Sequence, residues 1–217
     1  MTKKIVFLFI LFLTLFGNAQ TGQKTGLNGL VSNHIKELQN QKIDTICVYK
    51  NYCVSCHLAF DTDGNEICDD NQINPSIYIF YKKDSKTYLT KINYCWEFSE
   101  DIASDEFWKI YFSNQKKLEK EKFKEFEYYP YKNFKEVKCT LLVDHSGVKN
   151  FKLIIKNKII EKEFNSFQMK EQDDSGILNI NYKHNTNLKS KQLVDILEKI
   201  TSEAEKNNTF KKIKSRQ

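Results

Sequence analysis

Six cysteines and four histidines hold most of the reactive chemistry in this 217-residue chain. Cys53 and Cys56 have two residues between them, and His57 follows directly. Thiols at that spacing can close on each other, attack a shared electrophile or ligate one soft metal, and the adjacent imidazole adds a nitrogen donor. Cys47, Cys68, Cys95 and Cys139 complete the set. A second constellation overlaps the first. Asp61, Asp63, Asn65 and Asp69 gather around Gly64 in a polar turn, which brings side-chain oxygens to one side of the loop, as a hard cation requires. Asp144, His145 and Ser146 have the residue types of nucleophilic catalysis. Neighbours in sequence cannot reach one another in triad geometry, and Ser146-Gly147 reads as a turn.

The run Cys53-Val54-Ser55-Cys56-His57 resembles the attachment site of c-type cytochromes. In that resemblance both thiols bond the haem vinyl groups and His57 is the proximal iron ligand, with Met169, His34, His145 or His184 available opposite. With Tyr52 before the first thiol, the same run also resembles a thioredoxin-type redox motif, in which Cys53 and Cys56 would exchange with substrate disulfides. Cys53, Cys56, His57 and Cys68 offer a soft donor set for zinc, at a spacing unlike that of the standard fingers. The segment from Asp61 to Pro75 resembles a single thrombospondin type 3 unit, and the resemblance puts Asp61, Asp63, Asn65 and Asp69 on calcium. Glu66, Gln72 and Asn74 depart from that pattern.

The beginning of the chain arbitrates between these chemistries. Lys3 and Lys4 precede an apolar run over residues 5–16, broken only by Thr14, and Gly17-Asn18-Ala19 supplies small residues for cleavage before Gln20. As a helix that run reaches only ~18 Å, short of a ~30 Å hydrocarbon core. Residues 1–19 therefore read as a signal peptide, with no membrane span left after cleavage. Export to the periplasm or beyond puts thiols where they oxidise, so disulfides among Cys47, Cys53, Cys56, Cys68, Cys95 and Cys139 are expected ahead of haem, zinc or redox chemistry, and no cofactor is required.

Charge narrows the partners. The formal net charge of +6 falls to +4 with the signal. Lysines and acids interleave along the chain, which reads as a solvated surface. Nucleic acid binding would need a basic stripe lacking acids, so nucleic acid is excluded as a partner and none other is named. Residues 116–127, dense in Lys and Glu, read as an exposed helix with i,i+4 pairs.

The elements that must position these groups follow from periodicity. Leu27, Leu30, Val31, His34, Ile35 and Leu38 share one helical face. Residues 43–50 read as a strand, and 76–82 with 87–92 as a hairpin turning at Lys83-Asp84-Ser85-Lys86. The hairpin should pair with 43–50. Ser104 opens a helix running toward Pro130, either continuous or broken near Asn114. Strands are expected over 136–143, 151–156, 159–167 and 177–182. An amphipathic helix over 188–204 buries Leu193, Ile196, Leu197 and Ile200, and 205–217 reads as a basic, frayed tail. His34 should pack or sit at a rim, and Trp96 and Trp108 should anchor the core. Strands and helices without a βαβ rhythm indicate an α+β fold, an antiparallel sheet with helices on a Phe/Tyr-rich face. Residues 20–217 read as one exported domain, with a potential division near residue 130. The function expected is that of an exported, disulfide-stabilised, non-catalytic protein with a binding or envelope role. A c-type haem electron carrier and a thiol–disulfide oxidoreductase are the alternatives.

Overall fold

Residues 43–53 explain the architecture. Ile46, Cys47, Val48 and Tyr49 are all buried, although successive strand residues point to opposite faces. Both faces of this strand are therefore covered. The computed structural model describes residues 26–53, 68, 75–130, 137–143 and 146–216. Strand β1 (Thr45–Cys53) lies at the middle of an eight-stranded antiparallel sheet. On one side it pairs with β2 (Ile77–Lys83), which forms a hairpin with β3 (Lys86–Ile92). The hairpin turns through Asp84 and Ser85, both at positive φ. On the other side β1 pairs with β8 (Gly147–Ile155), and β8 with β9 (Lys158–Asn165). Short strands β4 (Trp96–Phe98) and β5 (Asp101–Ala103) join β3, and β10 (Lys212–Ser215) closes the edge on β4. Strands β6 (Glu127–Tyr128) and β7 (Cys139–Thr140) make a separate ribbon.

Two cores result. Ile46, Val48, Ile77, Ile79 and Ile92 pack under helix α1 (Leu27–Asn40), which contributes Val31 and Leu38. On the opposite face, Cys47, Tyr49, Phe80, Phe151 and Leu153 pack under α2 (Glu106–Lys120) and α4 (Lys189–Lys206). The fold is α+β, and the second core is the aromatic one. Phe107, Trp108 and Tyr111 come from α2 and Leu193, Val194 and Leu197 from α4. A short 3-10 turn (Ser166–Met169) and α3 (Tyr182–Thr186) connect β9 to α4.

The hairpin, its pairing with β1, and helices α1 and α4 match the sequence expectation. Helix α2 bends at Asn114, which has non-helical angles and whose side chain donates to Ile110 O at 2.9 Å. Four segments differ. Helix α2 stops at Lys120, well before Pro130, because two tertiary contacts take over there. Lys162 Nζ donates to the Glu119 and Glu121 carbonyls at 3.1 and 2.6 Å. The Glu121 carboxylate turns to the N-terminus of α4 and accepts from Lys189 N, Ser190 N and Ser190 Oγ, each at 2.9 Å. Within 136–143 only Cys139 and Thr140 are in strand. Over 177–182 there is a single bridge, between Gln172 and Leu178, before α3 begins. The tail is ordered as β10, because Phe210 buries against Tyr78 and Phe98 and Arg216 N donates to Cys95 O at 2.9 Å.

Candidate functional site

The reactive residues singled out in the sequence separate into those the structure describes and those it does not. Cys56, His57, Asp61, Asp63, Asn65, Asp69 and the Asp144-His145 pair lie outside the described residues, and the haem, zinc and calcium expectations fall there with them. Cys53 is exposed at the end of β1 and is disulfide-bonded, with its partner outside the described residues. In this oxidation state it has no thiol to give to haem. Cys68 is bridged to Cys95 with a Cα–Cα distance of 5.6 Å, tying the cysteine-rich segment to the strand β4 side of the sheet. Of the six disulfide candidates, Cys47 and Cys139 are free. Cys47 faces the aromatic core between Phe80 and Leu153, its register partners, and burial pushes its thiol far up. Cys139 sits on the separate ribbon. His34 is a rim residue, as expected. Its Nε2 is buried without a partner among the described residues, Nδ1 lies 3.7 Å from Glu37, and burial holds its pKa below the usual histidine value. Trp108 is fully buried, whereas Trp96 is only half-buried and takes part in something else.

That something is a cavity of about 770 Å³ between the sheet and the C-terminal half of α4. Tyr49 and Tyr78, paired across β1 and β2, form its floor, with ring centroids 6.4 Å apart. Trp96, Phe98 and Phe210 form one wall, and Glu198, Ser202 and Glu205 on α4 line the other. The charges inside are matched. Glu205 accepts the Tyr78 hydroxyl and pairs with Lys91, both at 2.7 Å. Lys91 also lies 4.9 Å from the Phe98 ring centroid. Glu198 pairs with Lys149 at 2.5 Å, and Lys212 stands 4.4 Å over the Trp96 ring. Burial, with Glu198 and Asp195 nearby, raises the pKa of Tyr49; burial and the Glu205 contact raise that of Tyr78. Both phenols are therefore neutral donors at physiological pH.

One atom in this cavity is out of balance. Tyr49 is 1% exposed, and its hydroxyl has no hydrogen-bond partner among the described residues. Leaving a buried polar group unpaired costs about 1–3 kcal/mol. Asn93 shows the contrast. Its Oδ1 accepts from Cys95 N at 3.0 Å and Trp96 N at 2.7 Å, which fixes the rim beside the disulfide. The cavity residues are not legible in the sequence, because they come from six separated elements. The one available signal was Glu198, Thr201 and Glu205, a polar i, i+3, i+7 stripe beside the apolar face of α4.

Among the described residues, no group of three or more His, Cys, Asp or Glu side chains could hold a metal ion, and no helix is long and apolar enough to cross a membrane. No protein-family profile matches the chain, and comparisons with curated proteins and with solved structures find no match.

Proposed function

We propose that this is an exported, disulfide-stabilised binding protein of the periplasm or extracellular space, without catalytic machinery, and that its ligand occupies the cavity under α4. The observation that carries the reading is the unpartnered Tyr49 hydroxyl on the floor of a concave site of ligand size, since small-molecule sites typically enclose ~300–1,000 Å³. The ligand class follows from the lining. Each carboxylate already has a lysine, so the site favours a neutral molecule. Aromatic rings on one side and amide, hydroxyl and carboxylate groups on the other suit a compact polyhydroxylated ligand, such as a mono- or disaccharide with one apolar face.

The test is thermal unfolding against a panel of neutral saccharides, with calorimetry on any that stabilise. A hit should raise Tm saturably. Tyr49→Phe should weaken that ligand about tenfold, the equivalent of one hydrogen bond, and leave the ligand-free protein as stable or slightly more so. A panel that leaves Tm unchanged at millimolar concentration would sink the saccharide assignment. A Tyr49→Phe protein that binds as well as the parent would remove Tyr49 from the site.

A second reading has one observation behind it. Cys53 is oxidised and exposed, as the resting form of a thiol–disulfide oxidoreductase would be. In that case its bridge should have a reduction potential near those of exchange catalysts, roughly −120 to −270 mV. A potential below about −300 mV marks a structural bridge instead.

A further inference from the structure

The Lys/Glu segment that reads as a neutral surface in sequence is not neutral in space. Residues 116–125 hold five lysines and three glutamates. Glu119 pairs with Lys158 on β9. Glu121 is buried, and its carboxylate is consumed by the N-terminus of α4. Glu125 is exposed but does not line the concavity that the lysines share. That concavity, about 530 Å³, is rimmed by Lys117, Lys120, Lys122, Lys124, Lys183 and His184, and the one carboxylate in its lining is that of Glu121. The five lysines are exposed, and none has an ion pair among the described residues. Unpaired like charges around one hollow repel one another, and an anion placed among them relieves that repulsion.

The backbone that carries Lys122 and Lys124 is also fixed in place. Segment 121–126 has no regular structure, so its backbone groups need other partners. Asn185, fully buried, supplies them in the manner of a neighbouring strand. Its Oδ1 accepts from Lys124 N at 2.9 Å and its Nδ2 donates to Lys124 O at 2.8 Å. Asn181 Nδ2 donates to Glu125 O at 3.0 Å, and His184 Nε2 lies 3.1 Å from Lys122 O. Buried asparagines thus lock the lysine-bearing backbone to α3, and little backbone order remains to be imposed when a ligand arrives.

We propose that this hollow is a second binding site, for a compact polyanion bearing several phosphate or sulfate groups. Ammonium groups converging from two segments suit multivalent oxyanions. The site is independent of the cavity under α4, which lies at the opposite end of that helix and is lined by a charge-matched set.

The experiment is isothermal titration of the full mature protein with two probes, sodium tripolyphosphate and a trisulfated disaccharide. At least one should bind saturably at low salt and weaken as ionic strength rises. Binding of the first alone identifies a phosphate carrier, of the second alone a sulfated saccharide, and of both a site that reads charge only. Lys120→Gln/Lys183→Gln should weaken the binding probe about tenfold or more, whereas Lys109→Gln/Lys199→Gln, also exposed lysines, should leave it unchanged. On the parent protein, the His184 imidazole resonances should shift with the same dissociation constant while those of His34 stay put. No saturable binding of either probe at millimolar concentration overturns the proposal, as does equal weakening in the control variant or a silent His184.

Discussion

His34 illustrates how a single side chain ties stability to pH. It stands on the apolar side of α1, its Nε2 has no partner among the described residues, and desolvation holds its pKa below that of a free histidine. Glu37, Glu97 and Glu100 favour its protonated form and Arg216 opposes it, but burial is the largest influence. The unfolded chain therefore takes up the proton first as pH falls. The contribution of His34 is complete above the unfolded value of about 6.5, and it is lost as pH falls from there through the folded value. Urea unfolding of the parent and of His34→Gln between about pH 7.5 and 5.5 should give a steeper fall for the parent, by at most ~1.4 kcal/mol per pH unit. Parallel profiles would remove His34 as the cause. The same residue shows what was readable beforehand. Its place on the Leu27–Leu38 face followed from spacing, but its unpaired nitrogen depends on what packs opposite, which spacing does not encode.

Elements were legible where one period dominated and illegible where tertiary contacts overrode it. Helices α1 and α4 and the β2–β3 hairpin carry clear apolar patterns and turn residues. Residues 116–127 carry a helical composition, yet the helix ends at Lys120 because Glu121 leaves it to cap another. Helix α4 begins at Lys189 with Leu188 as its N-cap, which has no side-chain cap of its own. The Glu121 carboxylate supplies what Leu188 lacks and puts a negative charge at the positive end of the helix dipole. Glu121→Ala should lose about 2–3 kcal/mol in denaturant unfolding, since it leaves two helix N–H groups unmet, whereas Glu121→Gln should lose about 1 kcal/mol. An alanine variant within about 0.5 kcal/mol of the parent would show that water caps α4 equally well. The β10 tail was missed for a related reason. Its residues are exposed and all but Ile213 are polar, and the one buried anchor, Phe210, lies just outside the strand.

At the scale of the molecule, the Cys68–Cys95 bridge joins the cysteine-rich segment to the sheet beside the cavity rim, closing a loop with a sequence separation of 27. In the chain-entropy account a loop of that length contributes ~3.5 kcal/mol. Cys68→Ser/Cys95→Ser should lower the urea midpoint accordingly, whereas adding reductant to that variant should report only the remaining bridge at Cys53. A variant with an unchanged midpoint would mean that the segment is held by its other contacts. The candidate site was the least legible part of the chain at this scale. The motifs visible in sequence crowd into residues 53–69. The cavity is assembled from Tyr49, Tyr78, Trp96, Glu205 and Phe210, which only the sheet register and the α4 packing bring together.

The central position of β1 sets the order of events during folding. Its neighbour β2 is close along the chain, but its other neighbour is not: Thr45 pairs with Ile155 and Cys53 with Gly147. A hairpin forms in about 1–10 μs, whereas sheets built on distant pairings take milliseconds to seconds. Until β8 docks, β1 has one unpaired edge and Cys47 lacks half of the cover that buries it, so an oxidant present during folding would meet it as a free thiol. Its burial under α2 and α4 is therefore a race against mispairing. Oxidative refolding of the reduced chain should therefore give more correctly bridged protein with a slower oxidant or an added disulfide isomerase, and a yield independent of both would show that β8 docks before Cys47 can mispair.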